Sequence, residues 1–262
     1  IVAGGKAIQL AANVLPANST NKTVTWSVKG VDGNSTQYAT ISAAGLLTAK
    51  TVNSRVDVVV MAVAKDGSGK FAEHTVTILP ASSRITFEYN GVIVKSIAMD
   101  VANLGSTYDV TAIISPQGAG GDVTWKSSNT AVLELVNSKS AEGDGDYAGY
   151  KTSIATVRPL KAGTATLTAT TTDGTKVAGY ITVKISVLTA DVTVTGATEV
   201  LVGQRITLGA TVLPAGASNK SVVWSADPNG AATVNQLTGV VTGVKAGTAT
   251  IKATASDGSG SY

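Results

Sequence analysis

Three runs of alternating apolar and polar residues each end at a proline, and a tryptophan follows nine or ten residues later. The runs are "KAIQLAANVLP", "YDVTAIISP" and "RITLGATVLP", closing at Pro16, Pro116 and Pro214; the rings that follow are Trp26, Trp125 and Trp224. Period-two alternation marks a strand with one face in a core and the other in water. Proline cannot donate to a ladder and so closes each run. Val24, Val123 and Val222 stand two residues before each Trp, which puts valine and indole on the same face. These three tryptophans are all that the chain contains, so each copy has one large ring at a fixed register.

A further block recurs downstream, "KAGTATLTATTTDG" at 161–174 and "KAGTATIKATASDG" at 245–258. Counting back from its Asp-Gly, Ala165, Leu167 and Ala169 align with Ala249, Ile251 and Ala253. The first copy carries Val58, Val60 and Ala62 at the same offsets. Asp66-Gly67, Asp173-Gly174 and Asp257-Gly258 are strong hairpin-turn signals. A last strand follows in two copies, "HTVTIL" and "YITVKI". Many short strands between Gly, Pro, Asn and Asp turns, with no helical period, predict an all-β chain of three tandem β-sandwiches. The expected units are 1–82, 83–188 and 189–262, joined by linkers short enough to give a stiff, elongated array. By this alignment the first unit lacks its first strand and the third its last. Either the sequence is a piece of a longer array, or another chain adds the strands.

Composition narrows the function. Hydrophobic residues make up 44% of the chain but aromatics only 5%, so each core is thin and built from Val, Ile, Leu and Ala. Net charge is +3 with scattered lysines, which argues against a nucleic-acid surface. No apolar run reaches the ~20 residues of a membrane span. With one histidine and no cysteine, zinc sites and Ser/His or Cys/His nucleophiles cannot be assembled, and no carboxylate pair is brought into a cleft. No catalytic residue and no cofactor are expected.

The string Pro…Asn-Lys-x-Val-x-Trp-Ser, followed by Thr-Gly-Val-Val-Thr-Gly-Val-Lys-Ala-Gly-Thr-Ala-Thr-Ile, resembles the bacterial immunoglobulin-like domain of group 2. The third copy carries it from Pro214 to Ile251. The second keeps Trp125-Lys-Ser-Ser-Asn and Lys161-Ala-Gly-Thr-Ala-Thr-Leu; the first keeps the opening and "SAAGLLTA" at 42–49. The resemblance implies an immunoglobulin-like sandwich, found in tandem on bacterial surface proteins such as adhesins and S-layer proteins, and on secreted enzymes and phage virions. It implies a non-catalytic spacer or binding scaffold at the bacterial cell surface. The implied partners are other copies of the chain, neighbouring surface proteins or a glycan.

Three sets of residues are candidates for a specific contact. The second copy has an insert, "NSKSAEGDGDYAGYKTS" at 137–153, in which Glu142, Asp144 and Asp146 would supply oxygen ligands to calcium. The competing reading is a solvated acidic hairpin. Tyr147 and Tyr150 in the same insert would be the nearest thing to a glycan platform. On the strand where the other copies place Thr and Lys outward, the first copy places Val59, Met61 and Val63, an apolar row that would form an interface. His74, the lone histidine, aligns with Ile181 and is expected to be a partly buried strand residue.

Overall fold

The computed structural model describes residues 1–102 and 104–262. Among these residues the regular structure is all β apart from one 3₁₀ turn at Gly145–Tyr147. Every ladder lies within one of three stretches of chain. The first holds β1 (Ile8–Gln9), β2 (Val24–Gly30), β3 (Ala39–Ile41), β4 (Leu46–Ala49), β5 (Val56–Ala64) and β6 (Phe71–Ile78), as sheets β1-β4-β3 and β2-β5-β6. The second holds β7 (Arg84–Tyr89), β8 (Val92–Val94), β9 (Ser96–Val101), β10 (Tyr108–Ser115), β11 (Val123–Ser127), β12 (Leu133–Glu142), β13 (Lys151–Pro159), β14 (Gly163–Thr171) and β15 (Ala178–Val187). Its sheets are β12-β13-β10-β7-β8 and β11-β14-β15-β9. The third holds β16 (Asp191–Thr195), β17 (Arg205–Thr207), β18 (Gly209–Leu213), β19 (Val222–Ala226), β20 (Ala232–Val234), β21 (Val240–Gly243) and β22 (Ile251–Ala255), with pairings β16-β18, β17-β21-β20 and β19-β22.

The tryptophan register predicted from sequence has a structural partner. Trp26 lies directly opposite Ala62, Trp125 opposite Ala169 and Trp224 opposite Ala253. A small residue beside each ring leaves the indole room to lie across the core between the two sheets. Trp125 and Trp224 are 9% and 3% exposed, and each belongs to a continuous buried cluster. Trp26 is only half-buried and packs at the margin of its cluster.

Turns fit around these rings. Gly45 (φ 83°) and Gly239 (φ 68°) precede β4 and β21, and both have left-handed backbone that a side chain rarely adopts. A Cβ on Gly239 would also stand 2.8 Å from the Leu208 carbonyl and 2.8 Å from the Trp224 ring; on Gly45 it would meet the Leu10 carbonyl and Trp26. In the second sandwich the long β12–β13 hairpin occupies this position. There the Trp125 Nε1–H donates to Ser153 Oγ at 2.9 Å in the buried interior.

Two expectations need correction in the first sandwich. The alternation from Ile8 to Val14 predicts one strand, yet only Ile8–Gln9 is paired, against Leu47 and Leu46. A run becomes a strand only when its N–H and C=O groups find a ladder. β10 has β13 on one side and β7 on the other, whereas among the described residues no strand lies beside residues 10–15. His74 is exposed, not partly buried. It pairs with Val60 and keeps the inward parity of Val76 and Ile78, but this end of the sheet opens onto a groove.

Substituting Gly239 with Ala should destabilise the third sandwich by about 1–3 kcal/mol, the usual cost of forcing a side chain into such backbone. Denaturant titration followed by tryptophan fluorescence measures it. Gly216→Ala, where an added Cβ meets nothing within 4 Å, should leave the midpoint unchanged.

Candidate functional site at the sandwich junctions

The side chains with the most organised polar surroundings sit where one sandwich meets the next. The Asp-Gly turn of the second sandwich directs Asp173 Oδ1 to the Thr175 N–H at 3.0 Å and to the Thr175 hydroxyl. Its Oδ2 accepts from Ser82 Oγ at 2.6 Å, with the Ser82 N–H at 3.4 Å. The third sandwich repeats the plan: Asp257 Oδ1 accepts from the Ser259 N–H at 3.0 Å and Oδ2 from the Thr189 N–H at 2.6 Å. Ser82 and Thr189 each stand two residues before the first strand of the sandwich whose aspartate holds them, and they are 5% and 3% exposed. One oxygen of each carboxylate therefore shapes its own turn, and the other grips the incoming linker.

Backbone contacts complete each junction. At the second, the Val187 N–H donates to Ser218 Oγ and the Ser218 N–H to the Val187 carbonyl, both at 2.8 Å. The Ser261 hydroxyl also donates to the Thr189 carbonyl at 2.9 Å. At the first, the loop after Pro116 lies against the end of the preceding sandwich. A Cβ on Gly120 would run into Leu79 and Val2, and one on Gly121 would meet Asp173 and Ser82 at 3.0 Å. Gly5 abuts the Asp173 carbonyl in the same way. Glycines at these points allow backbone to touch backbone across the junction.

The insert serves this junction too. Gln117 Nε2–H donates to the Ala148 carbonyl and the Gly118 N–H to the Gly149 carbonyl, each at 2.8 Å. Lys151 Nζ lies 3.3 Å from Asp122 and 3.4 Å from Glu142. The hairpin tip is thus fastened to the same loop that Leu79 and Val2 contact.

The residues singled out from sequence fall as follows. The expected calcium set is not brought together. Glu142 ends β12 and faces Lys151, Asp144 precedes the 3₁₀ turn with its carbonyl taking the Tyr147 N–H at 2.9 Å, and Asp146 lies within that turn. Among the described residues no group of three His, Cys, Asp or Glu side chains is placed to hold a metal ion. The ladder ends at Glu142, and the two aspartates lie in the turn beyond it. Tyr147 and Tyr150 are half-buried, and the Tyr147 backbone and Cβ lie against Gly143. Val59, Met61 and Val63 do share one face, but they are half-buried, not exposed. Their cross-strand neighbours are Lys29 and Thr75, Ser27 and Glu73, and Thr25 and Phe71, and the Lys29–Glu73 ion pair of 2.9 Å spans the row. Phe71 at its end is 64% exposed.

Ser82 and Thr189 escaped notice in the sequence. The available signal was a hydroxyl residue at the same offset before Arg84 and Asp191 in two otherwise dissimilar linkers.

This arrangement defines a tandem array of immunoglobulin-like β-sandwiches with built junctions. Residues 188–262, which hold the third sandwich, match the family model of the bacterial Ig-like domain (group 2). The chain is similar to an Ig-like virion protein of Serratia phage KSP90, at 35% identity over 164 residues, covering 59% of this chain and 56% of that protein. It is also similar to an uncharacterized protein of Clostridium acetobutylicum, at 29% identity over 157 residues, covering 59% of this chain and 14% of that protein. The chain thus spans little more than half of one relative and a seventh of the other. Among solved structures it overlaps mouse cadherin-23 EC22-24, at 16% identity with a TM-score of 0.32, over 100% of this chain and 89% of that one. Among the described residues no helix is long and apolar enough to cross a membrane.

Burial would push Asp173 and Asp257 up, but the hydrogen bonds from Ser82 and Thr175, and from Ser259 and Thr189, outweigh it. Both carboxyls lie below the ordinary value of 3.8. A depressed folded-state value contributes stability above the unfolded value, and that stability is lost as pH falls through the folded one. Thermal stability should therefore drop below about pH 4, with the Ser82 and Thr189 amides losing protection in hydrogen exchange. The double variant Asp173→Asn, Asp257→Asn should be less stable at neutral pH and show a flatter acid limb. Ser82→Ala alone should cost about 1–2 kcal/mol, the lower range for a bond to a charged group that is part-exposed.

Proposed function

We propose that this chain is a non-catalytic structural region of an extracellular protein, a spacer that holds a neighbouring function away from the bacterial surface. The observation that carries this reading is the repetition of one junction design. Two successive linkers are gripped by the aspartate of the following Asp-Gly turn and backed by the post-proline loop. A flexible tether gains nothing from burying its linker hydroxyls, whereas a strut does, because each fixed junction removes a hinge. The bacterial Ig-like domain at 188–262 is consistent with such a role. The Val59, Met61 and Val63 face, with Phe71 beside it, is the side on which copies or neighbouring surface proteins would pack. A second reading, a structural protein exposed on a phage particle, is favoured by the similarity to the Ig-like virion protein of Serratia phage KSP90.

The absence of cysteine makes the test direct. Spin labels at Ser54→Cys and Lys139→Cys, and at Lys139→Cys and Lys220→Cys, should give narrow distance distributions across the two junctions. Replacing Asp173 or Asp257 with Ala should broaden only the distribution across the junction concerned. Wild-type distributions as wide as those of a freely jointed linker would overturn the spacer reading.

A further inference from the structure

The two edges of the five-stranded sheet in the second sandwich meet solvent differently. β12, at one edge, is interrupted by a bulge between Leu135 and Asn137 and carries Glu134, Lys139 and Glu142. Bulges and charges of this kind keep an edge from pairing with another chain. β8, at the other edge, is Val92-Ile93-Val94, in unbroken register with β7 and without a charge. Val92 is 61% exposed and Ile93 53%. The chain leads away from this strand at both ends: Asn90-Gly91 turns back to β7, and Ser96 opens β9 in the other sheet.

The turn decides which backbone groups this edge presents. Asn90 (φ 52°) and Gly91 (φ 79°) form a two-residue hairpin loop, so Tyr89 and Val92 flank it as a hydrogen-bonded pair. Alternate residues of an antiparallel strand turn their N–H and C=O to opposite sides. Val92 and Val94 therefore bond to β7, and Ile93 directs both its groups outward, where among the described residues no strand pairs with it. Glu88, the cross-strand neighbour of Ile93, reaches to the start of β8, and its Oε1 accepts the Gly91 N–H at 2.5 Å. The space beside Gly91 is open, since an added Cβ there would meet nothing within 4 Å. Lys95 is exposed and among the described residues has no carboxylate within ion-pair distance.

We propose that β8 is a self-pairing edge through which a second copy of this chain binds. A twofold axis at Ile93 sets β8 antiparallel to β8 of the other copy, with Ile93 opposite Ile93 and the two exchanging both N–H···O=C bonds. The same register sets Val92 opposite Val94 of the second copy, and Gly91 opposite its Lys95. Residues opposite each other share a face. Lys95 of the second copy therefore arrives on the face of Ile93 and Glu88, over a glycine with no side chain, where the Glu88 carboxylate already stands. The axis repeats this ion pair, so each copy supplies one acid and one base. This complementarity commits the edge to a second copy: the stretch from Glu88 to Lys95 holds both charges at the spacing the axis requires. One short strand from each side makes the contact weak and reversible. It is separate from the Val59, Met61 and Val63 face, which lies on the first sandwich, and it does not depend on the spacer reading.

The full chain contains no cysteine, so a single introduced one reports the register. Under mild oxidation at millimolar protein, Ile93→Cys should form a disulfide dimer faster than Lys139→Cys on the opposite edge. Val92→Cys and Val94→Cys should cross-link when mixed and far less when each is alone. Sedimentation velocity should show monomer passing to dimer as concentration rises, and more so at low salt, where exposed ion pairs are less screened. Lys95→Glu or Glu88→Lys alone should weaken the dimer about tenfold, because the axis counts each pair twice, and the two in one chain should restore it. Ile93→Lys should abolish association without moving the unfolding midpoint, since a lysine on an edge opposes pairing and this side chain is exposed. A chain that stays monomeric at millimolar concentration would overturn the proposal, as would Ile93→Cys cross-linking no faster than Lys139→Cys. So would association that survives Ile93→Lys and is lost with Val59→Thr, which would place the contact on the first sandwich.

Discussion

Each sandwich places one indole ring opposite one alanine of the neighbouring strand. A chain with 5% aromatic residues has few large side chains with which to fill a core, so the position of each tryptophan governs much of the rest. The alanine opposite leaves room for the ring, and the glycine before β4 or β21 lets a tight turn pass over it. Where the glycine turn is replaced by the long β12–β13 hairpin, Ser153 reaches the indole N–H instead. The same ring thus tolerates two different covers, an apolar close approach and a hydrogen bond. Burial of the ring depends on the strand that should flank the proline-terminated run. With β7 or β16 in place the ring is buried; beside residues 10–15 it is only half so.

The junctions follow from the same architecture. Because each run ends at a proline, the chain turns there, and the post-proline loop lies at the end of the sandwich facing the preceding one. The Asp-Gly hairpin reaches the same end. A carboxylate has two oxygens, enough to shape a turn with one and hold a linker with the other, and charge-assisted bonds to N–H and O–H groups are stronger than neutral ones. The hairpin turns and the linkers are therefore held by one set of residues. The insert at 137–153, which invited a search for ligands, braces the loop at the first junction through Gln117 and Gly118.

The sequence makes the all-β class, the three rings and the Asp-Gly turns legible because period-two alternation, proline and Asp-Gly each act locally. Val24, Val123 and Val222 share a face with their tryptophans as the spacing demands. Residues whose part depends on a partner far along the chain were less legible. His74 has the parity of a core residue but lies where no strand stands across from it. Glu142, Asp144 and Asp146 look like ligands in a line of text, but Glu142 ends a ladder, the two aspartates lie in the turn beyond it, and among the described residues the three form no group placed to hold a metal ion. Ser82 and Thr189 look like ordinary linker residues, and only their proximity to aspartates 91 and 68 residues away gives them a part.

Local features are written in the residues themselves: which runs are strands, where they stop, which face each presents, and that one ring serves each repeat. Backbone propensity and side-chain periodicity act over a few residues, so a reading of neighbours suffices. Pairing across distance emerges only in the folded chain: which carboxylate grips which linker, which face is covered, and whether an alternating run acquires a ladder. Those outcomes depend on hydrogen-bond partners brought from elsewhere in the chain, and a backbone donor or an aspartate oxygen is satisfied or left over according to what lies opposite it.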